Sequence, residues 1–223
     1  MEIIRKNSFA YKDLFKREWI GSFITGIVFM SISFVVSHYT FIYAHAYSVR
    51  ATSSYVGDVI LDNIPVVNLN FIIVEGALFS IAAAAIFVLV QPRYILFALK
   101  MVALFIVTRA LFISLTHVGI YPGHIDPGLG PLDSIYLYFN FQTGLFFSGH
   151  TCAPILFALM FWERKTVRYI CLALAVIFGI SVLLAHIHYS IDVFAAPFMA
   201  YGIFNMAKYF FRREYELIKP NIS

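Results

Sequence analysis

The chain has 223 residues, of which 61% are hydrophobic, 18% aromatic and only 13% charged, with a formal net charge of +4. With a mean hydropathy of +0.82, this excludes an ordinary soluble domain of the same length, and so modest a charge gives no footing for nucleic-acid binding. The composition predicts an all-α polytopic membrane protein, a six-helix bundle with both termini cytoplasmic.

Residues 1–18 carry Arg5, Lys6, Lys12, Lys16 and Arg17 between apolar residues, an amphipathic lead-in for the membrane surface. No small-residue cleavage site follows a short apolar core, so a removable signal peptide is not expected. The membrane domain is expected over 19–211. Its first span runs from about Trp19 to Ile42, enough to cross a hydrocarbon core of roughly 30 Å. A polar stretch with Asp58, Asp62 and Pro65 leads to a second span, Phe71 to Val90, which contains Glu75. After Gln91-Pro92-Arg93, the third span covers Tyr94 to Leu115, with Lys100 near its start and Arg109 well inside it. The stretch from Thr116 to Leu145 is rich in Gly, Pro and aromatics and has no Lys or Arg. Spans four, five and six are expected at Phe146–Trp162, Arg168–His186 and Ser190–Phe211, followed by a charged tail, 212–223. Cys152 and Cys171 fall in spans near opposite faces and read as small buried residues rather than as a disulfide or zinc ligands.

Lys and Arg concentrate at the N-terminus, at the turns after spans two and four, and in the tail. The positive-inside rule therefore puts both termini in the cytoplasm. Ser148, Gly149, His150, His188 and Arg109 then gather near one depth on the opposite, exoplasmic side.

Those residues make a chemical kit. If 183–193 is helical, His188 and Asp192 share a face one turn apart. The carboxylate can then fix the imidazole tautomer and stabilise positive charge on the ring, which leaves the other nitrogen free as nucleophile or base. An intramembrane His/Asp pair reads as a functional site. Ser148-Gly149-His150-Thr151 opens a helix, whose N–H groups and dipole favour an anion, phosphate above all. His150 is placed to protonate a leaving oxygen, and the guanidinium of Arg109 suits a phosphate. Each element has a bland alternative: a satisfied helix pair, an ordinary N-cap, an arginine that snorkels or pairs with Glu75. His186, two residues from His188, is expected to face elsewhere in a structural or interfacial role.

The run Leu184-Ala185-His186-Ile187-His188-Tyr189-Ser190-Ile191-Asp192-Val193 resembles the last motif of the sphingomyelin synthase family, part of the wider type 2 phosphatidic acid phosphatase superfamily. Leu145-Phe146-Phe147-Ser148-Gly149-His150-Thr151 resembles the preceding motif. Looser likenesses come earlier, in Thr108–Thr116 with Tyr121-Pro122-Gly123-His124, and in Leu61–Pro65 with Val74-Glu75-Gly76. The resemblance covers roughly residues 55–205. It implies six spans and a transferase without metal or other cofactor, its site on the exoplasmic face. His188 would attack phosphorus, Asp192 would orient it, and His150 would protonate the departing alcohol. Arg109, Ser148, Gly149, His124 and Glu75 would bind phosphate or substrate. The partners would be a phospholipid donor, a lipid alcohol or water as acceptor, and the bilayer.

Classical phosphatases of the superfamily carry an arginine after a serine in the last motif, whereas here Val182 follows Ser181. Their Lys-x6-Arg-Pro motif is absent and no proline precedes Ser148. These departures favour the synthase-like branch. The long cytosolic extensions common in animal synthases are also missing, and a bacterial inner membrane is favoured over a Golgi or plasma membrane. The alternatives are a lipid phosphate phosphatase using the same residues with water, and a proton-coupled transporter with His188, Asp192 and Arg109 as a relay.

Overall fold

A computed structural model describes residues 9–50, 55–116, 118–125 and 146–219. The described chain is helical, with no strand among the described residues. A short α1 (Tyr11–Leu14) precedes the long α2 (Ile20–Arg50). A π-helical turn, Phe71–Glu75, leads into α3 (Gly76–Val90). Pro92 starts the next turn at a position where its missing N–H costs nothing, and α4 (Ile95–Leu115) follows. The remaining helices are α5 (Gly149–Met160), α6 (Lys165–Leu184), α7 (Ser190–Phe210) and α8 (Arg212–Ile218).

Among the described residues, four helices are long and apolar enough to cross a membrane: Ile20–Ala44, Phe71–Val90, Pro92–Leu115 and Lys165–Leu184. Six spans were the expectation from the sequence, and the two that differ do so for separate reasons. The fourth run is apolar from Phe146, but its helix is only the 12 residues of α5, about 18 Å against a core of roughly 30 Å. The sixth, α7, has 21 residues, about 31 Å, but Asp192, Pro197, Asn205 and Lys208 dilute its apolar run.

α4 is the central helix. It packs along α2 on one side and meets α7 on another, while α5 packs between α6 and α7. Its residues Leu96, Phe97 and Met101 are fully buried with Phe147, Phe161 and Ile203 in one core. α7 presents Ala196, Ala200 and Ala207 to that core, all with no exposure. These small side chains at helical spacing let neighbouring backbones approach closely. The opposite face of α7 turns Phe198, Tyr201 and Tyr209 outward.

At the end of the bundle away from α4's C-terminus, Lys100 Nζ lies 2.6 Å from Glu214 Oε1 and 3.0 Å from Ser22 Oγ. Ser22 also donates to Glu214. Burial raises the Glu214 pKa, but the hydrogen bonds from Lys100 and Ser22 outweigh it and hold the carboxyl below its ordinary value. This cluster ties α2, α4 and α8 together.

Candidate active site

The site sits where the N-termini of α5 and α7 meet. Ser148 is the N-cap of α5, and its buried hydroxyl accepts from Thr151 N at 3.4 Å. Its own N–H donates to Asp192 O at 3.1 Å, so the first residues of the two helices are fastened to each other. α5 begins level with Phe178 and Gly179 of α6: the His150 ring lies 6.1 Å from that of Phe178, and a Cβ on Gly179 would stand 3.2 Å from Val193 Cγ1 and 3.5 Å from Thr151 Oγ1. α6 continues to Leu184, so α5 starts about 8 Å below its end at 1.5 Å per residue. The shortness of α5 thus leaves a recessed site.

His188 lies in the turn between α6 and α7, before the first helical residue Ser190. His188 thus falls at the junction of the expected fifth and sixth spans, and the conditional reading of 183–193 as one helix, with His188 and Asp192 one turn apart within it, is not the observed arrangement. Tyr189 is the N-cap and Asp192 is the third helical residue, and the carboxylate reaches back across the helix start. Asp192 Oδ2 accepts from Tyr189 N at 3.1 Å and lies 3.2 Å from His188 Nδ1. The spacing brings the pair together through capping geometry rather than through helix periodicity. His188 is 2% exposed and Asp192 3%. The His150 and His188 ring centroids are 6.2 Å apart, and the His150 ring lies against the backbone of Ile73 in the π-helical turn.

Arg109 crosses the start of α5. Its Nε donates to Phe147 O at 3.2 Å. A Cβ at position 149 would stand 3.3 Å from that Nε and 3.6 Å from Cζ, so glycine is what lets the guanidinium lie against the helix N-terminus. Arg109, Ser148, Gly149, His150, His188 and Asp192 thus form one cluster. Glu75 ends the π-helical turn, two residues beyond Ile73 and next to Gly76, whose Cβ position lies 3.3 Å from Phe178. It stands at the margin of the cluster. His124 lies further out, beside Gly123 with its positive φ of 77°, in a segment whose Ile125 N–H donates to Ala185 O at 3.0 Å. Most of the Gly/Pro-rich stretch after Thr116, at 117 and 126–145, lies outside the described residues, as does the side chain of Arg50.

Two outer segments strap the turn that carries His188. Val67 N donates to Leu184 O at 2.8 Å, the Tyr189 hydroxyl donates to Gly119 O at 2.8 Å, and Ser190 N donates to Asp58 Oδ2 at 2.7 Å. The Tyr121 hydroxyl donates to Asp62, which pushes its pKa up to about 12. Asp58, Val67 and Gly119 were not singled out from the sequence, and Asp62 and Tyr121 stood there only inside the looser likenesses, with no role assigned. His186 is buried against the Tyr121 ring at 5.3 Å, and its backbone is left-handed with φ 54°. A cavity of about 620 Å³ opens beside the cluster, between Val56–Val59, Thr116, Phe146 and Ser190–Asp192. It is lined mainly by apolar groups, with Asp192 among the residues at its wall.

No curated protein and no solved structure matches this chain. Residues 143–209 match the family model described as PAP2 superfamily C-terminal. The matched stretch is less than half of the chain, but it contains Ser148, Gly149, His150, His188 and Asp192, and it leaves Arg109, Glu75 and His124 outside. Together with the apolar helices, the match supports a membrane enzyme of the lipid phosphatase or phosphotransferase type, in the PAP2-like superfamily.

Proposed function

We propose that the protein is an integral membrane lipid phosphotransferase, similar to sphingomyelin synthases, which moves a phospho-head-group between lipids through a phosphohistidine. The observation that carries this reading is the buried His188–Asp192 pair, 3.2 Å apart, facing His150 with ring centroids 6.2 Å apart. Asp192 holds the proton on Nδ1 and leaves Nε2 with its lone pair. Nε2 attacks phosphorus, and the bond from phosphorus to the departing lipid oxygen breaks. Protonated His150 gives its proton to that oxygen, releasing the alcohol. Neutral His150 then takes the proton of an acceptor hydroxyl, whose oxygen attacks phosphorus as the phosphorus–nitrogen bond breaks. Both histidines return to their starting states. Arg109 and the first N–H groups of α5 face the phosphate oxygens and favour the charge that builds there.

The apolar cavity beside Asp192 supports a lipid as reactant, because it offers room for a chain next to the reacting pair. Val182, fully buried where classical phosphatases carry an arginine, favours the synthase-like branch. In this reading α7 and α5, the latter starting below the exoplasmic surface and so too short to cross the core alone, complete the bundle as its sixth and fourth crossings, with both termini cytoplasmic and the site on the exoplasmic side, as the Lys and Arg distribution supports.

The test uses protein in liposomes with head-group-labelled phosphatidylcholine and phosphatidylethanolamine, with and without ceramide, and phosphatidic acid in parallel. A labelled lipid that forms only with ceramide, and not with His188→Ala, supports the transferase. Phosphate released from phosphatidic acid without an acceptor replaces it with a phosphatase on the same residues.

A further inference from the structure

Asp58 stands 132 positions before Ser190 in the chain, yet its carboxylate closes the N-terminus of the helix that carries Asp192. Ser190 N donates to Oδ2 at 2.7 Å. The other oxygen, Oδ1, accepts from Ile60 N at 2.9 Å and Leu61 N at 3.2 Å. Asp58 is 7% exposed, so these bonds are shielded from water. The N-cap residue of α7 is Tyr189, whose side chain makes no capping hydrogen bond. The first-turn donors left over are shared between two carboxylates: Asp192 takes Tyr189 N–H, and Asp58 takes Ser190 N–H. Val56 N also donates to the Tyr189 hydroxyl at 3.3 Å, so the 56–58 segment holds two successive residues of the turn that follows His188.

We infer that Asp58 is a positioning residue for the reacting pair: by capping α7 from a distant segment, it fixes the helix start from which Asp192 reaches back to His188. This rests on the reading of His188 and Asp192 as the reacting pair. Asp58 acts through the backbone of Ser190, one residue from the N-cap and two from Asp192, and needs no contact with substrate. Any rotation of the first turn of α7 moves Asp192 Oδ2 relative to both Tyr189 N and His188 Nδ1. The carboxylate also places a negative charge at the positive end of the helix dipole.

Three variants test this in purified protein. Asp58→Ala removes the acceptor, and Asp58→Asn keeps one oxygen for Ser190 N–H. Ser190→Pro removes the donor instead. Proline is well accommodated at the first helical position, and Tyr189 already has the extended backbone (φ −66°, ψ 155°) that precedes proline. Two readouts are taken: the ¹⁵N shifts of the His188 ring, assigned by their loss in His188→Ala, and kcat and KM for the labelled donor lipid. The expected result is a single Nδ1–H tautomer in the wild type. Asp58→Ala and Ser190→Pro give a mixture of tautomers, with kcat reduced about tenfold or more and KM unchanged, and Asp58→Asn falls between. Wild-type tautomer and kcat in both Asp58→Ala and Ser190→Pro overturn the inference. So does a raised KM at constant kcat, which would put Asp58 in contact with substrate, or a loss of kcat with the tautomer unchanged. If Asp58→Ala does not fold, Ser190→Pro and Asp58→Asn decide. If the wild type turns over none of the lipids, the proposed reaction fails, while the ring shifts still decide whether Asp58 sets the His188–Asp192 pair.

Discussion

Asp192→Asn separates charge from geometry at the centre of the site. Both bonds that Asp192 makes here end on one oxygen, Oδ2, which accepts from Tyr189 N at 3.1 Å and meets His188 Nδ1 at 3.2 Å. An asparagine can place its single carbonyl oxygen at that point and keep both contacts, because the amide nitrogen there would face two donors. The helix start is therefore preserved and only the charge is lost. In the ground state, a hydrogen bond to a charged acceptor is worth about 1.5–3 kcal/mol against about 0.5–1.5 for a neutral one, a difference of roughly tenfold in rate. When the ring becomes cationic on accepting phosphorus, the lost attraction is larger, about 4 kcal/mol at 4 Å and an effective dielectric near 20. The expected fall in kcat therefore lies between about 10-fold and about 10³-fold, with Tm within a few degrees of wild type. Asp192→Ala should add the loss of the Tyr189 N–H contact, about 1 kcal/mol for a helix cap and about 2–4 °C in Tm for a chain of this size. The assay is single-turnover transfer from labelled donor lipid alongside a thermal melt in the same detergent. Full kcat in Asp192→Asn would refute a role for the carboxylate on His188, and a melt as low as that of Asp192→Ala would refute the claim that geometry is kept.

The Lys100–Glu214 pair, with side chains only 11% and 7% exposed, should behave as a buried ion pair. Lys100→Met or Glu214→Gln alone should cost about 3–5 kcal/mol, because each leaves one charge uncompensated, and the double variant should recover most of the loss; additive losses in a thermal-melt double-mutant cycle would contradict this. Stability should also fall in acid. The Asp58 and Glu214 pKa values are raised by burial but lowered further by hydrogen bonds from Ser190, Leu61 and Ile60 and from Lys100 and Ser22. Carboxyls depressed in the folded state contribute stability that is fully present above their ordinary values of 3.8 and 4.5 and is lost as pH falls through the lower folded values. Melts should be flat from neutral pH down to about 5 and then decline, with a shallower decline in Glu214→Gln measured from its own plateau; equal slopes would remove Glu214 from the account.

The residues of the cluster were legible because each breaks an apolar run. His188 and Asp192, Ser148-Gly149-His150 and Arg109 stand out against hydrophobic neighbours, and the fold does bring them together. The reason differs in one case: the four-residue spacing works across a helix start, which periodicity alone does not distinguish from a helix interior. The ends of the helices were legible to within three residues except at the C-terminus of α2, which runs on to Arg50 past the expected Ile42. The apolar run of α5 begins at Phe146, and hydropathy does not register that Ser148 takes the N-cap and so shortens the helix. The contacts that hold the site were not legible, because they join distant parts of the chain: Asp58 with Ser190, Tyr121 with Asp62, Val67 with Leu184. Lys100 and Glu214, separated by 114 positions, read as a lone cation in a span and an ordinary tail charge. The buried, left-handed His186 gave no sign in a motif where its neighbour drew the attention.

Trapping the covalent intermediate tests the central claim most directly. Donor lipid labelled at phosphorus is mixed with protein without acceptor, quenched in base and digested. The account predicts an acid-labile, base-stable label on the peptide that contains His188, absent in His188→Gln and chased into lipid product when the acceptor is added. Product formation without label on His188, or turnover retained in His188→Gln, would contradict a phosphohistidine at this position.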